Sequence, residues 1–225
     1  MEHFTDILIQ WDTALLLTLN ALHTPYFDRF MMIFSGNWIW IPLYVSVFIM
    51  LYLRLGWKRA VILGLAIGIC IFIADTTCAK ILRPFFCRPR PGRPDSQISH
   101  LVHLINGYRG GHYGFPSCHA ANSFALAAAL IIICRCIRLS LFIIIWAIIN
   151  SYSRIYLGVH YPGDILFGTS VGIAIAWLII LPITSHLNID CRGSTKAIYP
   201  SPLDIPTTTG ILTIISIGII SCHHV

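Results

Sequence analysis

Long apolar segments separated by short polar turns make up most of this 225-residue chain. A helix needs about 20 mostly apolar residues to cross a bilayer. Segments close to that length predict five spans, at residues 38–55, 61–82, 117–134, 139–156 and 164–183. The connections between them are short, except for one long polar stretch at residues 83–116. The pattern therefore predicts an all-α fold, a polytopic bundle of transmembrane helices.

The two ends of the chain have weaker apolar patterns. Residues 7–22 are apolar on one face but are interrupted by Gln10, Asp12 and Asn20. This predicts an amphipathic helix in the membrane interface, with a true span as the competing interpretation. Residues 209–221 are too few to cross unaided, so we expect a re-entrant or surface segment there. We therefore expect five to six spans in one domain over residues 1–225, with a core at 38–183 and a tail at 184–225.

The composition places the chain among membrane proteins. Hydrophobic residues make up 56% of it and charged residues 11%, whereas soluble domains carry roughly a quarter charged residues. The start of the chain has no basic segment and carries Glu2, Asp6 and Asp12, so we predict no cleavable signal peptide. The eight cysteines show neither a disulfide framework nor zinc-ligand spacing. We expect no metal site and no cofactor.

The net charge of +6 is unevenly distributed along the chain. Many of the basic residues fall in or beside two polar loops rather than on an aromatic-interleaved helix, so we expect no nucleic-acid partner. A basic pocket beside a membrane suits an anionic headgroup instead. The basic residues of these loops are Lys80, Arg83, Arg88, Arg90, Arg93, Arg109 and Arg154.

Counting spans places the two polar loops on one side of the membrane and the short basic turns on the other. Basic residues are enriched on the cytoplasmic side of membrane proteins. The residues that indicate this side are Arg54, Lys58, Arg59, Arg135, Arg138, Arg192 and Lys196. The polar loops are thus predicted to face the periplasm from an inner (cytoplasmic) membrane. The pattern does not indicate an oligomeric state.

Three polar clusters lie on that predicted face. Residues 83–91 (RPFFCRPRP) follow the second span, residues 115–119 (FPSCH) open the third, and residues 153–164 connect the fourth to the fifth. Asp164 follows His160 by four residues, so its carboxylate can fix one tautomer of the imidazole and leave the other nitrogen free to attack. Each cluster alone also fits helix capping or headgroup contact. Together they supply the groups that phosphoryl transfer through a phosphohistidine needs.

The sequence resembles the type 2 phosphatidic acid phosphatase superfamily, whose signature is K-x6-R-P, P-S-G-H and S-R-x5-H-x3-D. Residues 153–164 match the third block in full. Residues 116–119 match the second, except that Cys118 replaces glycine. In the first block, Arg83 replaces the lysine ahead of Arg90 and Pro91. The resemblance covers roughly residues 40–183.

This resemblance implies a membrane-bound lipid phosphatase that requires no metal. It implies that His160 attacks phosphorus, that Asp164 orients it, and that His119 protonates the leaving lipid oxygen and then activates water. Lys80, one helical turn before Arg83, is the alternative candidate for the family lysine. The other groups that would hold the phosphate oxygens are Arg83, Arg90, Arg154, Ser117 and the backbone N–H of Cys118.

Two other functions share these residues. Vanadium haloperoxidases carry the same motif blocks but are soluble, and the apolar spans argue against them. A non-catalytic protein that binds lipid phosphates is disfavoured because both histidines are present. Within the phosphatase interpretation, the partners are the bilayer and a lipid phosphate. Undecaprenyl diphosphate and a lipid A phosphate are favoured over phosphatidylglycerol phosphate and phosphatidic acid.

The segment at residues 92–114 is predicted to cover the site and to select the headgroup. Its side chains that could contact a headgroup are His100, His103, Tyr108, Arg109 and His112.

Overall fold

The computed structural model describes residues 2–189 and 201–222. Its α-helices are α1 (Glu2–Asn20), α2 (Pro25–Phe34), α3 (Ile41–Leu55), α4 (Trp57–Thr76), α5 (Arg83–Phe86), α6 (Cys118–Cys134), α7 (Ile137–Tyr156), α8 (Pro162–His186) and α9 (Asp204–Cys222). A 3-10 turn, Trp38–Trp40, leads into α3, and a π-helical segment, Thr77–Leu82, joins α4 to α5. The predicted all-α fold is confirmed.

Five helical stretches are long and apolar enough to cross a membrane. They are Trp38–Leu55, Trp57–Phe86, Ile137–Tyr156, Pro162–His186 and Asp204–Cys222. The 17-residue α6 is a shorter apolar helix, and it packs at the centre of the bundle against α4, α7 and α8. The chain is therefore a multi-pass membrane protein, as the apolar pattern predicted.

The C-terminal helix is longer than its apolar run indicated. Because α9 begins at Asp204, it reaches 19 residues, enough to span. Asp204 lies 3.8 Å from Arg138, beside the basic turn before α7. Near the other end, the Tyr26 hydroxyl donates to the carbonyl oxygen of Gly218 (3.5 Å). The helix therefore runs between the two faces of the bundle, and the expectation of a re-entrant or surface segment is wrong.

The N-terminal helix lies against the polar-loop face of the bundle. Leu16 is fully buried against Val102, Ile155 and Tyr161, whereas Trp11 on the opposite side of α1 is 74% exposed. This distribution fits the predicted amphipathic helix, and α1 is not among the described helices apolar enough to span.

Among the described helices, α6 and α8 form the most extensive contact. A Cβ on Gly168 would lie 2.3 Å from the carbonyl oxygen of Ser117, and one on Gly172 would lie 2.1 Å from that of Ala121. Glycines four residues apart allow two backbones to meet in this way inside a membrane. This contact fixes the start of α8 against the start of α6, where two of the predicted clusters lie.

Candidate active site

A buried histidine–carboxylate pair forms the centre of the site. The Nδ1 atom of His160 lies 3.1 Å from Oδ2 of Asp164, and neither side chain is more than 1% exposed. Asp164 is the third residue of α8, and its Oδ2 also accepts the backbone N–H of Tyr161 (3.0 Å). The carboxylate therefore caps the helix and orients the imidazole at once. The four-residue spacing in the sequence produces the contact that it predicted.

Arg90 occupies the other side of the same imidazole. Its Nη1 atom lies 3.0 Å from Nε2 of His160 and also donates to the carbonyl oxygen of Val159 (3.1 Å). A carboxylate only accepts and a guanidinium only donates. His160 therefore carries its proton on Nδ1 and a lone pair on Nε2, the form that a nucleophile needs.

The surroundings of His160 favour this neutral form. Burial is the main cause that lowers the pKa of His160 well below its ordinary value, and the charges of Arg90, Arg154 and Arg83 lower it further. Burial also lowers the pKa of Arg90 to about 10, with the charges of Arg83 and Arg154 adding to the effect. Arg90 thus stays protonated at neutral pH, and the charges of three predicted phosphate ligands act on one imidazole.

The second cluster is joined to the third through the backbone. The N–H of Ser117 donates to the carbonyl oxygen of Asp164 (3.0 Å). The hydroxyl of Ser117 is fully buried and caps α6 by accepting the N–H of Ala120 (3.4 Å). Cys118 and His119 follow in the first turn of α6, where free backbone N–H groups favour an anion. His119 is partly exposed, and its Nε2 lies 3.3 Å from the carbonyl oxygen of Ser35.

The remaining predicted cations differ in their placement. Arg83 donates from Nε to the carbonyl oxygen of Pro116 (3.2 Å), directly ahead of Ser117. Arg154 is buried and donates to the hydroxyls of Ser35 and Tyr108. Lys80 is exposed on the π-helical segment and has no hydrogen bond or ion pair with any residue that the structure describes. The geometry therefore favours Arg83 over Lys80 as the counterpart of the family lysine.

Two residues that no motif block assigned to the site are linked to the carboxylate of Asp164. Arg88 donates to Oδ1 of Asp164 (3.0 Å) and to Oδ2 of Asp12 (2.7 Å). Its guanidinium also lies over the ring of Tyr161, 3.8 Å from the centroid. Asp12 accepts the N–H of Gly163 through its other oxygen (2.7 Å). The sequence feature that could have pointed to Asp12 is the presence of an acid in an otherwise apolar part of the N-terminal helix.

Five side chains of the segment at residues 92–114 were predicted to contact a headgroup. One of them, Tyr108, contacts a predicted phosphate ligand. The hydroxyl oxygen of Tyr108 accepts a hydrogen bond from Arg154 (3.2 Å). Arg109 instead binds the carbonyl oxygen of Gly92, and His112 lies 3.4 Å from Asp95. His100 is exposed. Most of these side chains therefore stabilise the segment itself or face solvent.

His103 belongs to a separate polar group beside the α1–α2 turn. Its ring stacks on that of His23 (3.7 Å between centroids), and its Nε2 lies 3.2 Å from Asp28. Among the described residues, this is the one group of three whose composition suits a metal ion. It shares no residue with the group around His160 and Asp164.

One family model and three known proteins are similar to this chain. The family model described as the PAP2 superfamily matches residues 59–185. The lipid A 4′-phosphatase of Bacteroides thetaiotaomicron is 43% identical over 224 residues, 98% of either chain. The lipid A 4′-phosphatase of Porphyromonas gingivalis is 29% identical over 201 residues, 86% of this chain and 84% of that one. The crystal structure of Aquifex aeolicus LpxE has a TM-score of 0.58 at 23% identity, covering 74% of this chain and 92% of its own.

Proposed function

The chain belongs to the PAP2 superfamily and is a membrane lipid phosphatase, and we propose that it removes the 4′-phosphate of lipid A through a phosphohistidine. The relatives that are named for this activity include one that matches almost the full length of the chain. The structural observation that carries the mechanism is the buried His160–Asp164 pair, with its free lone pair directed to Arg90.

In the first step, Nε2 of His160 attacks phosphorus and the bond from phosphorus to the lipid oxygen breaks. Asp164 accepts from Nδ1–H throughout and stabilises the positive charge that the ring acquires. His119 donates a proton to the leaving oxygen, which departs as a hydroxyl of the lipid. Arg90 donates to Nε2 in the resting site, so its N–H must turn towards a phosphate oxygen before the lone pair can react.

In the second step, water attacks the phosphohistidine. His119 takes a proton from this water, the bond between phosphorus and nitrogen breaks, and inorganic phosphate leaves. His160 returns to its neutral form, and the proton that His119 takes from water replaces the one that it gave to the lipid, so the protons balance over the cycle. Arg83, Arg90 and Arg154, with the N–H groups at the start of α6, would bind the phosphate oxygens in both steps.

We further propose that the site faces the periplasm from the inner membrane. The catalytic loops and the basic turns lie at opposite ends of α7, because Arg154 is in its last turn and Arg138 in its first. Arg135 and Arg138 are expected on the cytoplasmic side. Arg192 and Lys196, which entered the same prediction, lie outside the described residues.

The test is phosphate release in detergent from four lipids: a lipid A carrying the 4′-phosphate, undecaprenyl diphosphate, phosphatidylglycerol phosphate and phosphatidic acid. We expect the lipid A to be the best substrate and His160→Ala to lower its turnover by about a thousandfold or more, the range for a lost nucleophile. The exposed His100 supplies a matched control, since His100→Ala should retain wild-type rates. Equal phosphate release by His160→Ala and wild type would exclude the phosphohistidine mechanism. Preference for another of the four lipids would exclude lipid A as the substrate.

A further inference from the structure

A polar pocket lies inside the bundle next to His119. Its volume is about 290 Å³, and its walls come from α3, α4, α6 and α7. Its lining includes polar groups of Asp75, Asn122, Trp146 and Asn150. Polar groups inside membrane spans are costly and usually mark a functional path. The pocket therefore needs an explanation beyond packing.

Three of these side chains carry buried polar atoms without a partner among the described residues. They are the Nε1 donor of Trp146 and the Oδ1 acceptors of Asn122 and Asn150. Trp146 is 1% exposed and Asn150 is 6% exposed. Nδ2 of Asn122 donates to Oδ1 of Asp75 (3.1 Å), which orients the amide and leaves its oxygen for another donor. Buried polar groups are normally paired, and a ligand that lies here can supply these partners.

The unpaired groups define the chemistry of that ligand. Two amide oxygens accept hydrogen bonds, and one indole N–H donates. The ester groups of a diacylglycerol only accept, and the hydrocarbon of a polyprenol does neither. A sugar with hydroxyl and amide groups supplies both kinds of partner. The pocket thus distinguishes among lipids that carry the same phosphate.

The position of the pocket suits the leaving group of the reaction. His119 lines it and is also the residue that protonates the leaving lipid oxygen in the proposed mechanism. The part of the lipid that carries this oxygen must therefore lie on the His119 side of the phosphate. The first group reached beyond the oxygen is the sugar ring of the lipid.

An apolar groove continues from the pocket along α3 and α4. It has a volume of about 370 Å³, and Tyr44, Ile71 and Leu126 line both cavities. Gly64 and Gly68 in α4 leave room for it, and a Cβ on Gly68 would meet nothing within 4 Å. Leu65, in the same wall, is 64% exposed on the outer surface of the bundle. The groove therefore joins the polar pocket to the hydrocarbon phase.

We propose that the pocket formed by Asp75, Asn122, Trp146 and Asn150 binds the acylated amino sugar of the substrate, and that the adjoining groove binds one of its acyl chains. This inference rests on the proposed function, because it assigns the non-phosphate part of the same lipid. It also gives a physical reason for a sugar lipid to be preferred over a polyprenyl lipid and over phosphatidic acid.

The first experiment removes one partner of the sugar. Asn150→Leu replaces an amide of similar size whose oxygen is unpaired in the protein. We compare the kcat/KM for 4′-phosphorylated lipid A with the kcat/KM for phosphatidic acid. The ratio of the first to the second should fall about tenfold, as expected for one lost hydrogen bond in a buried site. Ser151→Ala is the matched control, since Ser151 also carries a buried unpaired oxygen but does not line the pocket. An unchanged ratio for Asn150→Leu would overturn the proposal.

The second experiment fills the groove. An added Cβ at Gly68 meets nothing within 4 Å, so Gly68→Phe directs its ring from open space in the wall of the groove. We expect the KM for the lipid A to rise by about tenfold or more, while a short-chain phosphate ester that does not reach the groove shows a much smaller rise. Equal changes for the long-chain and short-chain substrates would exclude the acyl-chain assignment.

A third measurement separates this inference from the proposed function. A diacylated glucosamine without phosphate should inhibit phosphatidic acid hydrolysis by the wild type and should inhibit Asn150→Leu at least tenfold more weakly. If the wild type fails to hydrolyse lipid A and this inhibition persists, the proposed function is wrong and the sugar site stands. If lipid A is hydrolysed and the inhibition is absent or equal in the two proteins, the sugar site is wrong and the proposed function stands.

Discussion

Asp12 in the first helix lies 2.7 Å from the guanidinium of Arg88, which in turn binds Asp164 at 3.0 Å. A residue far outside the motif-bearing part of the chain is thereby linked to the carboxylate that contacts His160. Asp12 also accepts the N–H of Gly163, so it fixes both the arginine and the first turn of α8. We regard Asp12 and Arg88 as positioning residues, because their contacts act on His160 through Asp164.

Asp12→Asn tests this positioning role. Loss of the negative charge removes one of the two carboxylates that hold Arg88. Arg88 then fixes Asp164 less firmly, and the orientation of His160 weakens. We expect kcat to fall about tenfold with little change in KM, because the phosphate ligands are untouched. Asp6→Asn is the control, since Asp6 is exposed on the same helix. A rise in KM at unchanged kcat would show that Asp12 serves binding instead.

Arg90 is expected to tolerate no cationic substitute. Its fork reaches His160, the carbonyl oxygen of Val159 and that of Tyr113 (3.2 Å), and a lysine cannot reproduce these directions. Arg90→Lys should lower kcat/KM by about a hundredfold.

By contrast, Arg83→Lys restores the family residue and should retain or raise activity. Steady-state phosphate release separates the two variants, and a fully active Arg90→Lys protein would refute the role of the fork.

The depressed pKa of His160 makes folding stability depend on pH. The folded state keeps this imidazole neutral, whereas the unfolded chain protonates it near pH 6.5. Stability should therefore fall as the pH drops below about 6.5, by up to about 1.4 kcal/mol per pH unit for this group. Denaturation in detergent at pH 7.5 and pH 5 should show a smaller loss for His160→Gln than for wild type. Identical losses would mean that His160 protonates freely in the folded protein.

The close contact of α6 and α8 is expected to accept no side chain. Gly172→Val would drive its Cβ into the backbone of Ala121, so the helices must separate. Overpacking of this kind costs about 1–3 kcal/mol or more, and we expect a clearly lower denaturation temperature together with loss of activity. Gly111→Ala is the control, because a Cβ there meets nothing within 4 Å. Wild-type stability of Gly172→Val would contradict the close approach of the two backbones.

Features that depend on residues close to one another in the sequence were predictable from the sequence. Apolar length predicted the spans, and the four-residue spacing of His160 and Asp164 predicted their contact. The same patterns underestimated α9, because its first turn contains Asp204, Pro206 and threonines, which interrupt the apolar pattern. A helix can extend beyond its apolar run when polar residues cap its ends.

Contacts between distant residues were not predictable in this way. Arg88 is 76 positions from both Asp12 and Asp164, and no local pattern indicates which cation of a basic cluster will meet which acid. Ser35 likewise accepts from Arg154 and lies beside His119, although it belongs to a short turn without a motif. These pairings depend on how α1 and α2 fold over the polar-loop face.

The full length of α9 has a practical consequence for reporters of membrane topology. Counted from α3 with α6 included, the helices cross six times, so residue 222 lies on the same side of the bilayer as α1 and the catalytic loops. With that side in the periplasm, a fused domain that matures only after export, such as alkaline phosphatase, should be active when it follows residue 222. A fluorescent protein that folds only in the cytoplasm should stay dark at the same position and should fluoresce when the chain is truncated after α8.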